Sequence, residues 1–149
     1  MQLSPHFSFA ELTTTGNVAL LESNRASANK FLKQLKYTAG ALEECRAVIG
    51  EGLTITSGYR MPELNKAVGG SATSKHIQGL CADFKPVSMS VKEAFKKLIS
   101  NKDKLHSVRK VIIEGVKGKE WIHLQSKTVS TEPMEFFATT DGKTYQEVV

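Results

Sequence analysis

No stretch of this chain approaches the roughly 18 uninterrupted apolar residues that a membrane-spanning helix requires, so insertion into a membrane by a helix is excluded. Met1 to Phe9 lacks a basic region followed by an apolar run, so no export signal is expected and the product should be cytoplasmic as synthesised. Cysteine is scarce. Cys45 and Cys81 are the only two, in a body large enough to be stable without staples, and two reduced thiols are expected. Internal repeats, low-complexity tracts and sustained heptads are absent, which removes solenoids and coiled coils. The most basic segment, Lys92 to Lys110, lacks aromatics placed to stack on bases. The net charge of +5, from 20 basic and 15 acidic residues, therefore implies a solvated helix face or attraction to an anionic polymer, and nucleic acid is not an expected partner.

What is present fits one globular domain, residues 1–149, with 40% apolar and 23% charged residues. Ser8 with Glu11 forms a capping box ahead of a short helix. Apolar residues at Ala28, Phe31, Leu32, Leu35, Ala39, Leu42, Cys45 and Ile49 recur every three or four positions and predict one long amphipathic helix ended by Gly50 and Gly52. Leu53 to Thr56 predicts a strand, Ser57-Gly58 a turn, and Pro62 to Val68 one or two helical turns stopped at Gly69-Gly70. Cys81 to Lys85 predicts a strand, and Ser90 caps a helix with Val91, Ala94, Phe95, Leu98 and Ile99 inward. Val111 to Glu114 and Trp121 to Gln125 predict strands joined by the Gly115 to Lys119 turn, and Asp141-Gly142 a terminal hairpin between Phe136–Thr139 and Thr144–Val148. The fold class is α+β with a mainly antiparallel sheet and a long N-terminal helix.

Six residues separate His76 from Asp83, and a second cluster reads Glu120-Trp121-Ile122-His123. Histidine and carboxylate are zinc ligands, and three such donors leave a fourth position open, where bound water has its pKa lowered to about 7. The candidate ligands are His76, Asp83 and His123, and Glu120 is the candidate base. Taken alone, each cluster also has an ordinary structural reading as a surface pair or a hydrogen-bonded core residue. Arg60 could pair with Glu63 at a helix start, and Trp121 could be a pocket-wall aromatic.

Ser57-Gly58-Tyr59-Arg60, Gly69-Gly70-Ser71, Ser74-x-His76, Gly79-x-x-Ala82-Asp83 and Glu120-x-x-His123 follow one another in one order. Together with Leu3-Ser4-Pro5-His6-Phe7 and Glu11-Leu12, this set resembles the zinc D-alanyl-D-alanine carboxypeptidases and L-alanyl-D-glutamate endopeptidases of bacteria and phages, across roughly Leu3 to Gln125. The resemblance implies a hedgehog / D-Ala-D-Ala peptidase fold, a Zn2+ cofactor and peptidoglycan stem peptides as substrate. It further implies His76, Asp83 and His123 as zinc ligands, Glu120 as the carboxylate that moves protons, Arg60 facing the scissile carbonyl, and Ser74 at the substrate edge. Trp121 is a candidate substrate-binding wall. Two residues depart from the pattern: Cys81 stands where alanine is common, and Lys75 where glutamine is frequent. Glu114, at the end of Val111-Ile112-Ile113, is the rival to Glu120. The resemblance leaves a carboxypeptidase and a lytic endopeptidase, as in a phage endolysin, both open. The alternative is an inactive, zinc-stabilised module that binds wall peptides or another protein. A monomer is expected.

Overall fold

The computed structural model describes residues 1–148, so Val149 of the expected 1–149 domain lies outside it. The reciprocal Ser8–Glu11 box is present: the Ser8 N–H donates to Glu11 Oε1 at 3.0 Å and the Glu11 N–H to Ser8 Oγ at 3.1 Å. A 3-10 turn, Glu11–Thr13, follows. Where one helix is expected from Ala28, two occur: α1 (Leu21–Ala28) and α2 (Leu32–Ile49), joined by the 3-10 turn Asn29–Phe31. The first went unread because LESNRASA buries only Asn24 and Ala28 and has no apolar stripe. Gly50 ends α2 at φ +86°, where a side chain would be strained.

The remaining elements are β1 (Leu53–Ser57), α3 (Pro62–Ala67), β2 (Cys81–Pro86), α4 (Val91–Ser100), β3 (Val108–Val116), β4 (Lys119–Ser126), β5 (Glu135–Thr139) and β6 (Gln146–Glu147). Pro62 starts α3, where its missing N–H costs nothing, and the Ser90 hydroxyl caps α4 by accepting from the Glu93 N–H at 3.1 Å. Lys117 and Gly118 turn β3 into β4 with φ +54° and +79°, the left-handed pair a two-residue hairpin demands.

Six strands form one sheet in the order β1-β2-β4-β3-β5-β6, antiparallel except where β5 runs parallel to β3. The expected terminal hairpin is present as the antiparallel β5–β6 pair, and the parallel pairing of β5 with β3 has a local cause. The chain leaves β4 beside the start of β3, passes over that end and enters β5 in the same direction as β3. Arg109, at a register break in β3, clamps the connection by pairing with Glu132 and Glu135 and donating to the Pro133 carbonyl at 2.9 Å. The last strand is short, Gln146–Glu147 in place of the expected Thr144–Val148, because the side chain of Asp141 takes the Lys143 and Thr144 N–H groups into the turn.

Side-chain alternation gives the sheet two different faces. Ile55, Ala82, Phe84, Ile122, Leu124, Val111 and Phe136 are buried on one face, against α2 and α4, in a core that also holds Leu35, Leu42, Ile49 and Leu98. Cys81, Asp83, Trp121, His123, Ile112 and Glu114 line the cleft on the other. Among the described residues no helix is long and apolar enough to cross a membrane.

Candidate metal centre

The segment Ser57-Gly58-Tyr59-Arg60 positions one side of the cleft. A bulge between Ile55 and Ser57 bends the end of β1, and the chain then passes so close to Leu12 that a Cβ on Gly58 would lie 2.2 Å from the Leu12 carbonyl oxygen. The Tyr59 N–H donates to that same carbonyl at 2.8 Å. The Tyr59 ring is buried against Phe31, with centroids 5.2 Å apart, and its hydroxyl meets Ser27 Oγ at 2.7 Å. Arg60 is thereby left facing the cleft. The turn Lys75–Gln78 supplies His76, with the Ser74 hydroxyl capping it by accepting from the His76 N–H at 3.2 Å. Thr38 on α2 donates to the Gly79 carbonyl at 2.6 Å, pinning this turn to the long helix.

Asp83 on β2 and His123 on β4 are register partners and share a face. The His76, Asp83 and His123 donor atoms all lie within 4.8 Å of one another. His76 Nε2 is 3.4 Å and His123 Nδ1 2.9 Å from Asp83 Oδ1. Tetrahedral zinc with bonds of about 2.0–2.1 Å separates its donors by about 3.3 Å, so this set fits that ion. His76 Nδ1 is 2.7 Å from the Gly58 carbonyl, which can only accept, so Nδ1 carries the proton and Nε2 turns its lone pair inward.

Burial holds His76 below its ordinary pKa despite Asp83 nearby, favouring the neutral, ligating imidazole. Burial would also raise Asp83, but His76 and His123 hold its carboxyl far below the usual range. Desolvation would lower His123, but the Cys81 sulfur and the Asp83 carboxylate outweigh it and raise its pKa.

The structure does not bring Glu120 to this cluster. Three residues along a strand is an odd offset, so Glu120 projects from the face opposite His123, and it does not line the cleft. Glu114 does. It pairs in register with Trp121, two residues from His123, and lines the same wall. Burial raises the Glu114 carboxyl above its ordinary pKa, Asp83 adds to this, and His123, the Trp121 N–H and Arg60 pull against it.

Arg60 also lines the cleft, and among the described residues it makes no ion pair with Glu63. Its Nη2 reaches Ser74 Oγ only at 3.5 Å, and its Nε is buried without a partner. The buried Trp121 Nε1, near Glu114, likewise makes no hydrogen bond of good geometry. Cys81 shares the cleft face with Asp83 but lies outside the three-donor group.

Sequence reading missed a buried latch. Asn24 on α1 donates to the carbonyls of Thr13 (3.0 Å) and Tyr59 (3.1 Å) and accepts from the Met61 N–H (2.8 Å), bracketing Arg60 on both sides. Its only signal was a polar residue in a segment without periodicity. The cleft encloses about 1080 Å³, and Lys110, Phe137, Lys143 and Tyr145 form a wall that no motif announced.

An open three-donor cluster beside a half-buried carboxylate and a guanidinium has the chemistry of a metal-dependent hydrolase. Residues 5–125 match the family model described as Peptidase M15, and the chain belongs to that family of zinc peptidases, of the D-alanyl-D-alanine carboxypeptidase type. A comparison with curated proteins finds no match.

Proposed function

We propose that this protein hydrolyses a peptide bond in the stem peptides of bacterial peptidoglycan, as a one-domain enzyme of the hedgehog / D-Ala-D-Ala peptidase type, with zinc held by His76 Nε2, Asp83 Oδ1 and His123 Nδ1. The observation that carries the reading is the convergence on one sheet face of these donors, all within 4.8 Å, with Glu114 in the same cleft. A zinc ion there lowers the pKa of water and polarises a carbonyl. Glu114 accepts the proton of the attacking water as its oxygen adds to the scissile carbon, and returns it to the amine nitrogen as the C–N bond breaks. Arg60 donates to the carbonyl oxygen as negative charge develops on it, which is the use we assign to its unpartnered Nε. Ser74 holds the His76 turn and borders the guanidinium. The buried Arg60 Nε, which has no acceptor, argues for a substrate site rather than an inert zinc staple.

Two bonds fit this chemistry. Cleavage of D-Ala-D-Ala makes the protein a carboxypeptidase, and cleavage of L-Ala-D-Glu makes it a lytic endopeptidase of the endolysin kind. Mass spectrometry of defined muropeptides incubated with the zinc-loaded protein distinguishes them by product mass. Chelation should abolish hydrolysis and zinc restore it, and His76→Ala should lose both metal and activity. Full turnover by a verified metal-free sample would refute the reading.

A further inference from the structure

A second concave site lies apart from the metal-ligand cleft, where the chain leaving β4 meets the start of β3 beside α2. The Lys127 N–H donates to the Ser107 carbonyl at 2.8 Å and fixes that meeting. The groove encloses about 310 Å³ and is lined by Lys36, Tyr37, His106, Lys127 and Val129 among others, and among the described residues no carboxylate lines it. Two carboxylates touch its residues, and both are engaged in building it. Glu44 accepts from the Ser107 N–H at 2.8 Å and from its hydroxyl at 3.2 Å. Glu132 Oε1 accepts from the Thr128 N–H at 2.7 Å, its hydroxyl at 3.0 Å and the Val129 N–H at 3.0 Å, while Oε2 faces Arg109 Nε at 3.7 Å. Glu132 is therefore balanced by Arg109. Lys33, one helical turn before Tyr37, holds its ammonium 6.0 Å from the centroid of that ring. Among the described residues none of Lys33, Lys36 and Lys127 has a carboxylate within 4 Å. Tyr37 is 41% exposed and Val129 57%, so an apolar surface lies between the ammonium groups.

We infer that this groove is a second, non-catalytic site that holds a polyanionic cell-wall polymer built of phosphodiester-linked sugar or polyol units. Unpaired ammonium groups complement phosphates spaced along such a chain, and the Tyr37 ring meets the carbon skeleton between them. Nucleic acid is the poorer fit, because single strands are held by successive stacked aromatics, and Tyr37 is the one Phe, Tyr or Trp among the described lining residues. Cleft and groove are joined by one strand. Gln125 of β4 lines the cleft and Lys127, just past its end, lines the groove. His123 is four residues from Lys127, about 13 Å of extended chain. A polymer seated in the groove therefore keeps the cleft against the wall. That consequence rests on the peptidase reading above, whereas the binding itself does not.

The experiment titrates a fluorescein-labelled glycerol phosphate hexamer with the zinc-loaded protein at low salt and reads anisotropy. The parent should bind with an affinity that falls steeply as salt rises, as where lysines displace the counter-ions of a phosphate chain. Lys36→Gln combined with Lys127→Gln should weaken binding by about tenfold, and Tyr37→Ala by about threefold. Lys85→Gln combined with Lys119→Gln removes equal charge, on β2 and at the far end of β4, and should stay within about twofold of the parent. No binding by the parent, parental binding by the groove variant, or equal weakening in the control overturns the site. Equal affinity for a DNA oligomer with the same number of phosphates overturns the assigned partner. Hydrolysis of a small soluble muropeptide, measured on the same samples, should be the same in the parent and both double variants. Binding by a parent that hydrolyses no muropeptide would refute the peptidase reading and leave the groove standing.

Discussion

At the scale of single residues, the site turns on which carboxylate shares a face with His123. Glu114 and Glu120 sit on adjacent, paired strands, and the register sends only Glu114 into the cleft. Glu114→Gln keeps volume and hydrogen-bonding reach but removes basicity, so hydrolysis should fall by about 100-fold or more at unchanged zinc content. Glu120→Gln should stay within about twofold of the parent, as befits a surface change away from the reacting groups. Steady-state muropeptide hydrolysis, with zinc measured on the same samples, decides between them. A dead Glu120 variant beside an active Glu114 variant would reverse the assignment.

At the scale of elements, the turn after β1 does three jobs within four residues. Gly58 permits close approach to Leu12 and offers the carbonyl that orients His76, Tyr59 anchors in the core, and Arg60 enters the cleft. In Gly58→Ala the new Cβ meets backbone, which cannot swing aside as a flexible side chain would. The turn must move, and with it the His76 partner. Stability should fall by about 1–3 kcal/mol, and zinc affinity by about 10- to 100-fold, because second-sphere partners of a ligand tune a site by that much. Thermal unfolding with and without zinc tests both effects. A variant that loses stability but binds zinc as the parent does would show that the Gly58 carbonyl does not orient His76.

At the scale of the whole molecule, α2 and the turn after it act as a spine to which distant segments are fastened by carboxylates. Glu43 accepts from the Ser4 hydroxyl at 2.6 Å and the His6 N–H at 2.7 Å, and Glu51 accepts from Ser88 and Met89. Burial alone would raise Glu43, but its hydrogen bonds from Ser4 and His6 prevail and lower it; Glu51 is lowered chiefly by its bond from the Ser88 hydroxyl. Both folded values lie below the unfolded ones. Their stabilisation is therefore complete above the ordinary glutamate range near pH ~4.3 and is lost as pH falls through the lowered folded values. Hydrogen exchange should accordingly show the Leu3 and His6 amides losing protection on acidification before the amides within α2. Glu43→Gln should abolish that pH dependence. Identical acid loosening in the variant would count against the staple.

Local patterns in the chain determined the Ser8–Glu11 box, α2 and its glycine stop, the Ser90 cap, the strands around the ligands and the His76–Asp83–His123 triad, because caps, periodicity and ordered motifs act over a few residues. The triad was legible because its donors are chemically distinctive and fall in a known order. Which of Glu114 and Glu120 faces the cleft was not: that placement depends on strand register, which a linear spacing of three does not carry in a sheet of period two. Asn24, the parallel pairing of β5 and the cleft wall of Phe137 and Tyr145 were equally out of reach. Each arises where segments 11 or more residues apart in sequence are brought together, and only the folded sheet decides which side chains then face one another.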